Sequence, residues 1–181
     1  MKRIFIFRKA HAAVILLCCL MAFSSAMAQQ MPRRNVLRET NNEFFKTEEA
    51  RRIGNQVLAF QRCTGGWPKN IDMTQKMSNE ELAQILKEKS RRDDSTIDNN
   101  ATTMQMIYLA RLYRQTKDVR YRDAFRLAVE YLLSGQYENG GWPQFWPEMR
   151  GYQVHITFND DAIVNTLEIL HDIMAAEIPY D

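Results

Sequence analysis

Two short runs of carboxylates and amides are the groups in this sequence best suited to chemistry: Asp98-Asn99 and Asn159-Asp160-Asp161. The first follows Ser95-Thr96-Ile97 and the second follows His155-Ile156-Thr157-Phe158, and each opens a helical stretch. Such residues are good helix N-caps, so a pair of caps is one reading. The other reading starts from their equivalent places in an internal repeat, which should set them at the same end of the fold. Clustered Asp and Asn oxygens there suit a hard cation such as Ca²⁺. A negative, cation-loading cleft suits a polyanionic sugar, whose own carboxylates would complete the coordination.

The second pair of motifs is Gly65-Gly66-Trp67-Pro68 and Gly140-Gly141-Trp142-Pro143, each preceded at the same offset by a glutamine, Gln61 or Gln136. Paired glycines allow positive φ and close backbone approach, and Pro fixes the exit direction. The Trp rings have two possible uses. They can pack under the turn, with Gln61/Trp67 and Gln136/Trp142 tying it to the preceding helix, or Trp142 can stack on a sugar ring.

The elements that must position these groups read as helices. Thr47 is a candidate N-cap, and Ala50, Ile53, Val57 and Phe60 follow at helical spacing. Ser78-Asn79-Glu80-Glu81 fits a capping box for a shorter helix with Leu82, Ile85 and Leu86 on its apolar face. Three longer helices are predicted. One spans about 100–115, with Met104, Tyr108, Leu109 and Leu112 inward. One spans about 120–134, with Phe125, Ala128, Val129 and Leu132 inward and Gly135 ending it. One begins near Asp160 and presents Ile163, Val164, Leu167, Leu170 and Met174. No segment alternates like a strand. A helix, a Gly-Gly-Trp-Pro turn, a polar loop and an Asn/Asp-led helix occur twice, which predicts an all-α fold of helical hairpins arranged as an α/α toroid. Two or three hairpins cannot close such a ring, so the reading is of an incomplete, truncated toroid.

The first 28 residues read as a cleaved export signal. Lys2, Arg3, Arg8 and Lys9 precede an apolar run over 12–23, and Ala26-Met27-Ala28 supplies small residues at −3 and −1. The run is short for a permanent membrane span. The expected organisation is a signal peptide over 1–28, a polar lead-in over 29–46 and the helical domain over 47–181, exported to the periplasm or medium. The whole chain carries 24 basic and 22 acidic residues; removing 1–28 takes four basic and no acidic residue, which leaves 20 against 22. The apparent basicity belongs to the signal and gives no argument for nucleic acid. Cys18 and Cys19 leave with the signal, so Cys63 stands alone and no intrachain disulfide forms. A monomer that meets no membrane after cleavage is expected.

Several ordered stretches together resemble polysaccharide lyase family 10, the pectate lyases: Thr96-Ile97-Asp98-Asn99-x-Ala101-Thr102, Gln136-Tyr137-x-Asn139-Gly140-Gly141-Trp142-Pro143-Gln144, and Gly151-Tyr152-x-x-His155-Ile156-Thr157-Phe158-Asn159-Asp160, with Gly65-Gly66-Trp67-Pro68-Lys69-Asn70 before them. The resemblance runs from about Glu49 to the end. It implies an α/α toroid and calcium-assisted cleavage of polygalacturonate by β-elimination. By that resemblance Asp98 and Asp160 take the acidic active-site positions, Asp160 on calcium and Asp98 on the calcium–substrate bridge. Asn99 lies beside them, and Asp161 adds charge where the family often carries an amide. Lys69, Arg150, Tyr152 and His155 are substrate contacts, with an ordinary hydrogen-bonded loop histidine as the alternative for His155. The base implied by the family is an arginine from the C-terminal part of the toroid, and no stretch of 1–181 matches it.

Three other functions fit parts of the pattern. A module could hold calcium and oligogalacturonate without cleaving them. Paired carboxylates on a toroid would also serve a glycoside hydrolase. The spacing Gln-x-x-x-Gly-x-Trp occurs in triterpene cyclases, but the acid motifs expected there, Asp-Asp-x-x-Asp and Asp-x-Asp-Asp, are absent.

Overall fold

The computed structural model describes residues 36–177 and 179–180. The export signal read at 1–28, and the lead-in up to residue 35, lie outside the described residues. Within them the regular structure is helical: α1 (Glu48–Phe60), α2 (Asn79–Lys87), α3 (Thr103–Thr116), α4 (Val119–Ser134) and α5 (Ala162–Met174), joined by loops and short 3-10 turns. Extended pairing among the described residues is limited to isolated bridges, Trp67 with Thr96, Thr96 with Phe145 and Pro143 with Ile156. The all-helical expectation holds as an array of hairpins. No helix is long and apolar enough to cross a membrane among the described residues.

Local chemistry sets the helix starts where the sequence placed them. Thr47 Oγ1 accepts from the Ala50 N–H at 3.2 Å, capping α1. At α2 the box closes both ways: Ser78 Oγ accepts from the Glu81 N–H, and Glu81 Oε2 accepts from the Ser78 N–H. Lys117 in the left-handed conformation and Asp118 turn α3 into α4, with Asp118 capping the Arg120 N–H. A connection that short makes α3 and α4 a helical hairpin.

The core gathers where α1, α3 and α4 meet. Ala50, Ile53, Val57 and Phe60 of α1 are all buried, as the spacing predicts, against Tyr108, Leu109 and Leu112 of α3. On α4 the buried face is Tyr121, Ala124, Ala128, Tyr131 and Leu132; Phe125 and Val129 sit at its margin. Each large side chain taken wholly from water contributes roughly 1.5–3 kcal/mol, so this seam carries the fold. Gly54 lets α1 approach α3 and α4, because a Cβ there would collide with Leu112.

Two inward faces differ from expectation. On α2 no residue is buried; Leu82 and Ile85 are half-covered and Leu86 is exposed, since this helix lies only along α1. On α5 the buried residues are Ala162, Thr166 and Ile169, while Val164, Leu167 and Met174 face outward. An apolar residue occurs at almost every turn of α5, so periodicity could not decide which stripe meets α3.

Candidate active site

The two Gly-Gly-Trp-Pro turns are built alike. Gln61 Nε2 donates to the Gly65 carbonyl at 2.9 Å and to Ala124 at 2.8 Å; Gln136 Nε2 donates to Gly140 at 3.2 Å. Gly65 and Gly140 have φ of 96° and 86°, a conformation that costs an L side chain strain. The Arg62 N–H bonds to the Gly66 carbonyl, and the Tyr137 N–H to Gly141. The structure therefore assigns the Gln–Trp pairs to tying turns to helices. Trp142 is fully buried, so its expected role of stacking on a sugar is corrected: no ring face is exposed, and its indole N–H is spent on the Leu132 carbonyl.

From each turn the chain runs to an acid turn by the same route. The Thr96 N–H bonds to the Trp67 carbonyl at 3.2 Å and the Thr157 N–H to the Trp142 carbonyl at 3.1 Å. Thr96 Oγ1 then accepts from the Asp98 N–H, as Thr157 Oγ1 does from Asn159. The 3-10 turns Asp98–Asn100 and Asn159–Asp161 pack against each other, the placement at one end that the repeat predicts. Asn99, Asn100, Asp160 and Asp161 all have positive φ, between 48° and 61°. Asn and Asp tolerate this better than other side-chain-bearing residues, though it still stores strain of the kind that collects at functional sites.

The capping alternative does not describe these turns. Helices α3 and α5 start after them, at Thr103 and Ala162, and neither has a side-chain cap. The carboxylates of Asp98, Asp160 and Asp161 are therefore not spent on helix ends.

Asp98 is the buried member, with only 2% of its surface exposed. Its Oδ2 accepts from the Lys69 ammonium and from Gln144 Nε2, the latter at 2.6 Å. Its Oδ1 is buried without a hydrogen-bond partner. Asn99 Nδ2 donates to Asn70 Oδ1 at 2.8 Å, and Asn165 Nδ2 to Asn100 Oδ1 at 3.1 Å, linking the first acid turn to the first Gly-Gly-Trp-Pro loop and to α5. Asp160 and Asp161 are exposed on the neighbouring turn. Arg150, Tyr152 and His155 lie together on the exposed stretch around the 3-10 helix Gly151–Val154, and no bond among the described residues ties them to Asp98 or Asp160. Phe158, 80% exposed, projects from the segment entering the second acid turn.

The donor set fits a hard cation in its chemistry, being all oxygen and including one buried carboxylate oxygen left unpaired. Among the described residues no three Asp, Glu, His or Cys side chains converge closely enough to hold a metal by themselves, so amide or carbonyl oxygens, water or a bound polyanion would have to complete the set.

Gln144 and Asn70 are the site residues that sequence reasoning overlooked. The signal was available for Gln144: it stands two residues after Trp142, as Lys69 stands two after Trp67.

Residues 61–181 match the model of a family described as pectic acid lyase. The chain belongs to that family. Two solved structures are similar to it, both with a TM-score of 0.63: a family 10 polysaccharide lyase from Cellvibrio cellulosa, 34% identical, and an aspartate-to-alanine mutant of such a lyase from the same organism in complex with trigalacturonic acid, 33% identical. In each case the likeness covers 75% of this chain and 39% of the other, so the chain spans about two-fifths of the length of these relatives. No curated protein matches. Both Gly-Gly-Trp-Pro turns and both acid turns fall inside the pectic acid lyase match. All of α1, the helix that anchors the first turn through Trp67, precedes it.

Proposed function

We propose that this pectic acid lyase family member is exported, binds polygalacturonate and serves its cleavage by calcium-assisted β-elimination, on a fold of α/α-toroid type. The observation that carries the reading is the meeting of two repeat-related acid turns at one end of the hairpin array, with their carboxylates free of capping duty. Family membership and a relative holding trigalacturonic acid support the substrate class.

In such an elimination a proton leaves the carbon beside the uronate carboxylate, and the glycosidic oxygen departs from the next carbon. The difficulty is the carboxylate's negative charge, which disfavours carbanion formation; calcium, when bound, supplies the neutralising charge. Asp98, Asp160, Asn99 and Asp161 are the residues that would hold it, with Asp98 nearest the substrate. Lys69, Arg150, Tyr152 and His155 orient the sugar chain, and fixed cationic groups near the developing charge lower the barrier electrostatically. The residues named here hold and neutralise substrate, and the resemblance implies that an arginine takes the proton.

The test is incubation of the full chain with polygalacturonate, with Ca²⁺ or with a chelator, followed by product analysis. Unsaturated uronate that disappears with chelator and with Asp98→Ala supports the reading. Saturated products would make the protein a hydrolase. Calcium-dependent binding without product would make it a holding module. Secretion is checked by the mass of the exported protein, expected to begin at Gln29.

A further inference from the structure

Asp98 meets two donors that come from the same place in the two repeats. Lys69 and Gln144 each stand two residues beyond the Trp of a Gly-Gly-Trp-Pro turn, and both donate to Oδ2. They are held very differently. Gln144 is buried, its backbone carbonyl accepts from Thr96 Oγ1 at 2.5 Å, and its amide is neutral. The Lys69 side chain is 28% exposed, and beyond Asp98 its ammonium meets, among the described residues, the Phe145 ring, 5.4 Å to the centroid.

A carboxylate this deeply buried is costly unless its charge is compensated. Lysine can compensate it and still leave, because its head group is strongly hydrated and its stem flexible. A divalent cation and the Lys69 ammonium cannot share Asp98 without repelling each other.

Resting on the calcium reading above, the geometry points to Lys69 as an internal substitute for the divalent cation. The ammonium neutralises Asp98 when no cation is bound and is displaced when one binds. It then turns outward to the carboxylate of a galacturonate unit, while Gln144 keeps Asp98 in place. Cation loading and grip on the anionic sugar are thereby coupled through one side chain.

The test is calorimetric titration of the full chain with calcium chloride and, at saturating calcium, with trigalacturonate. The variants are Lys69→Gln, which copies the residue of the other repeat, Lys69→Met and Asp98→Asn, with thermal melts as a folding control. Removing the ammonium is expected to tighten calcium binding at least about 5-fold, in the range of ordinary coupling between sites, and to weaken trigalacturonate binding by a similar factor. Calcium binding by Lys69→Gln and Lys69→Met when the parent binds none also supports the inference. If both lysine variants fold yet bind calcium as the parent does or more weakly, while Asp98→Asn loses it, Lys69 is no substitute and the calcium reading survives. If Asp98→Asn keeps the parent's affinity, or if no variant binds calcium, both fall.

Discussion

Trp67 and Trp142 occupy matching sockets in successive hairpins: each indole N–H donates at 2.7 Å to the carbonyl ten residues upstream, Val57 for one and Leu132 for the other. Both rings are fully buried. Replacing either by Phe empties part of the socket and removes the indole bond, at a cost of about 2–5 kcal/mol; the Leu132 carbonyl keeps the Gly135 N–H. Urea unfolding should record that loss for both, while trigalacturonate affinity of folded Trp142→Phe stays at the parent value. Weaker binding at unchanged stability would restore a sugar-contact role for Trp142.

The positive-φ glycines of the two Gly-Gly-Trp-Pro turns separate strain from collision. A Cβ on Gly140 meets nothing within 4 Å, so Gly140→Ala carries only left-handed strain, roughly 1–2 kcal/mol. At Gly65 the same methyl would run into the Leu127 carbonyl oxygen of α4. Gly65→Ala should therefore lower the urea midpoint clearly further than Gly140→Ala. Equal losses would mean that the first turn can move away from α4.

Arg62 is buried and held by Asp94, at 3.0 Å from Nε to Oδ1 and 2.7 Å from Nη2 to Oδ2, with the more exposed Glu88 at 3.1 Å. Asp94→Ala leaves the guanidinium poorly compensated and should cost about 3–5 kcal/mol. Glu88→Gln should cost under about 1 kcal/mol, because water screens that partner. Chemical denaturation of the two variants gives the comparison, and a reversed order would place the compensating charge on Glu88.

Burial pushes the hydroxyls of Tyr131, Tyr108 and Tyr121 above the ordinary tyrosine value. The folded state thus resists ionisation more than the unfolded chain does. Their packing contributes fully below the unfolded value of about 10, and stability falls as pH rises from there towards the folded values. Urea midpoints should be flat with respect to tyrosine up to that pH and then decline. Tyr131→Phe, which loses the bond to the Trp146 carbonyl, should lower the plateau and make the alkaline decline shallower. An unchanged slope would show that Tyr131 ionises without unfolding.

The helix starts at Thr47 and Ser78 and the buried stripe of α1 were legible in the sequence, because caps and 3.6-residue periodicity are local physics. So was the doubling of the Gly-Gly-Trp-Pro and acid turns, from which their meeting at one end followed once the hairpins formed. Tertiary structure decided what spacing leaves open. The buried stripe of α5 depends on which side α3 covers, because the apolar arc of that helix is wider than the stripe it buries. The burial of Trp142 depends on a carbonyl of α4 lying within reach of its indole. The convergence of Lys69 and Gln144 on Asp98 joins residues 29 and 46 positions away from it, and only the packing of two loops brings them to one oxygen.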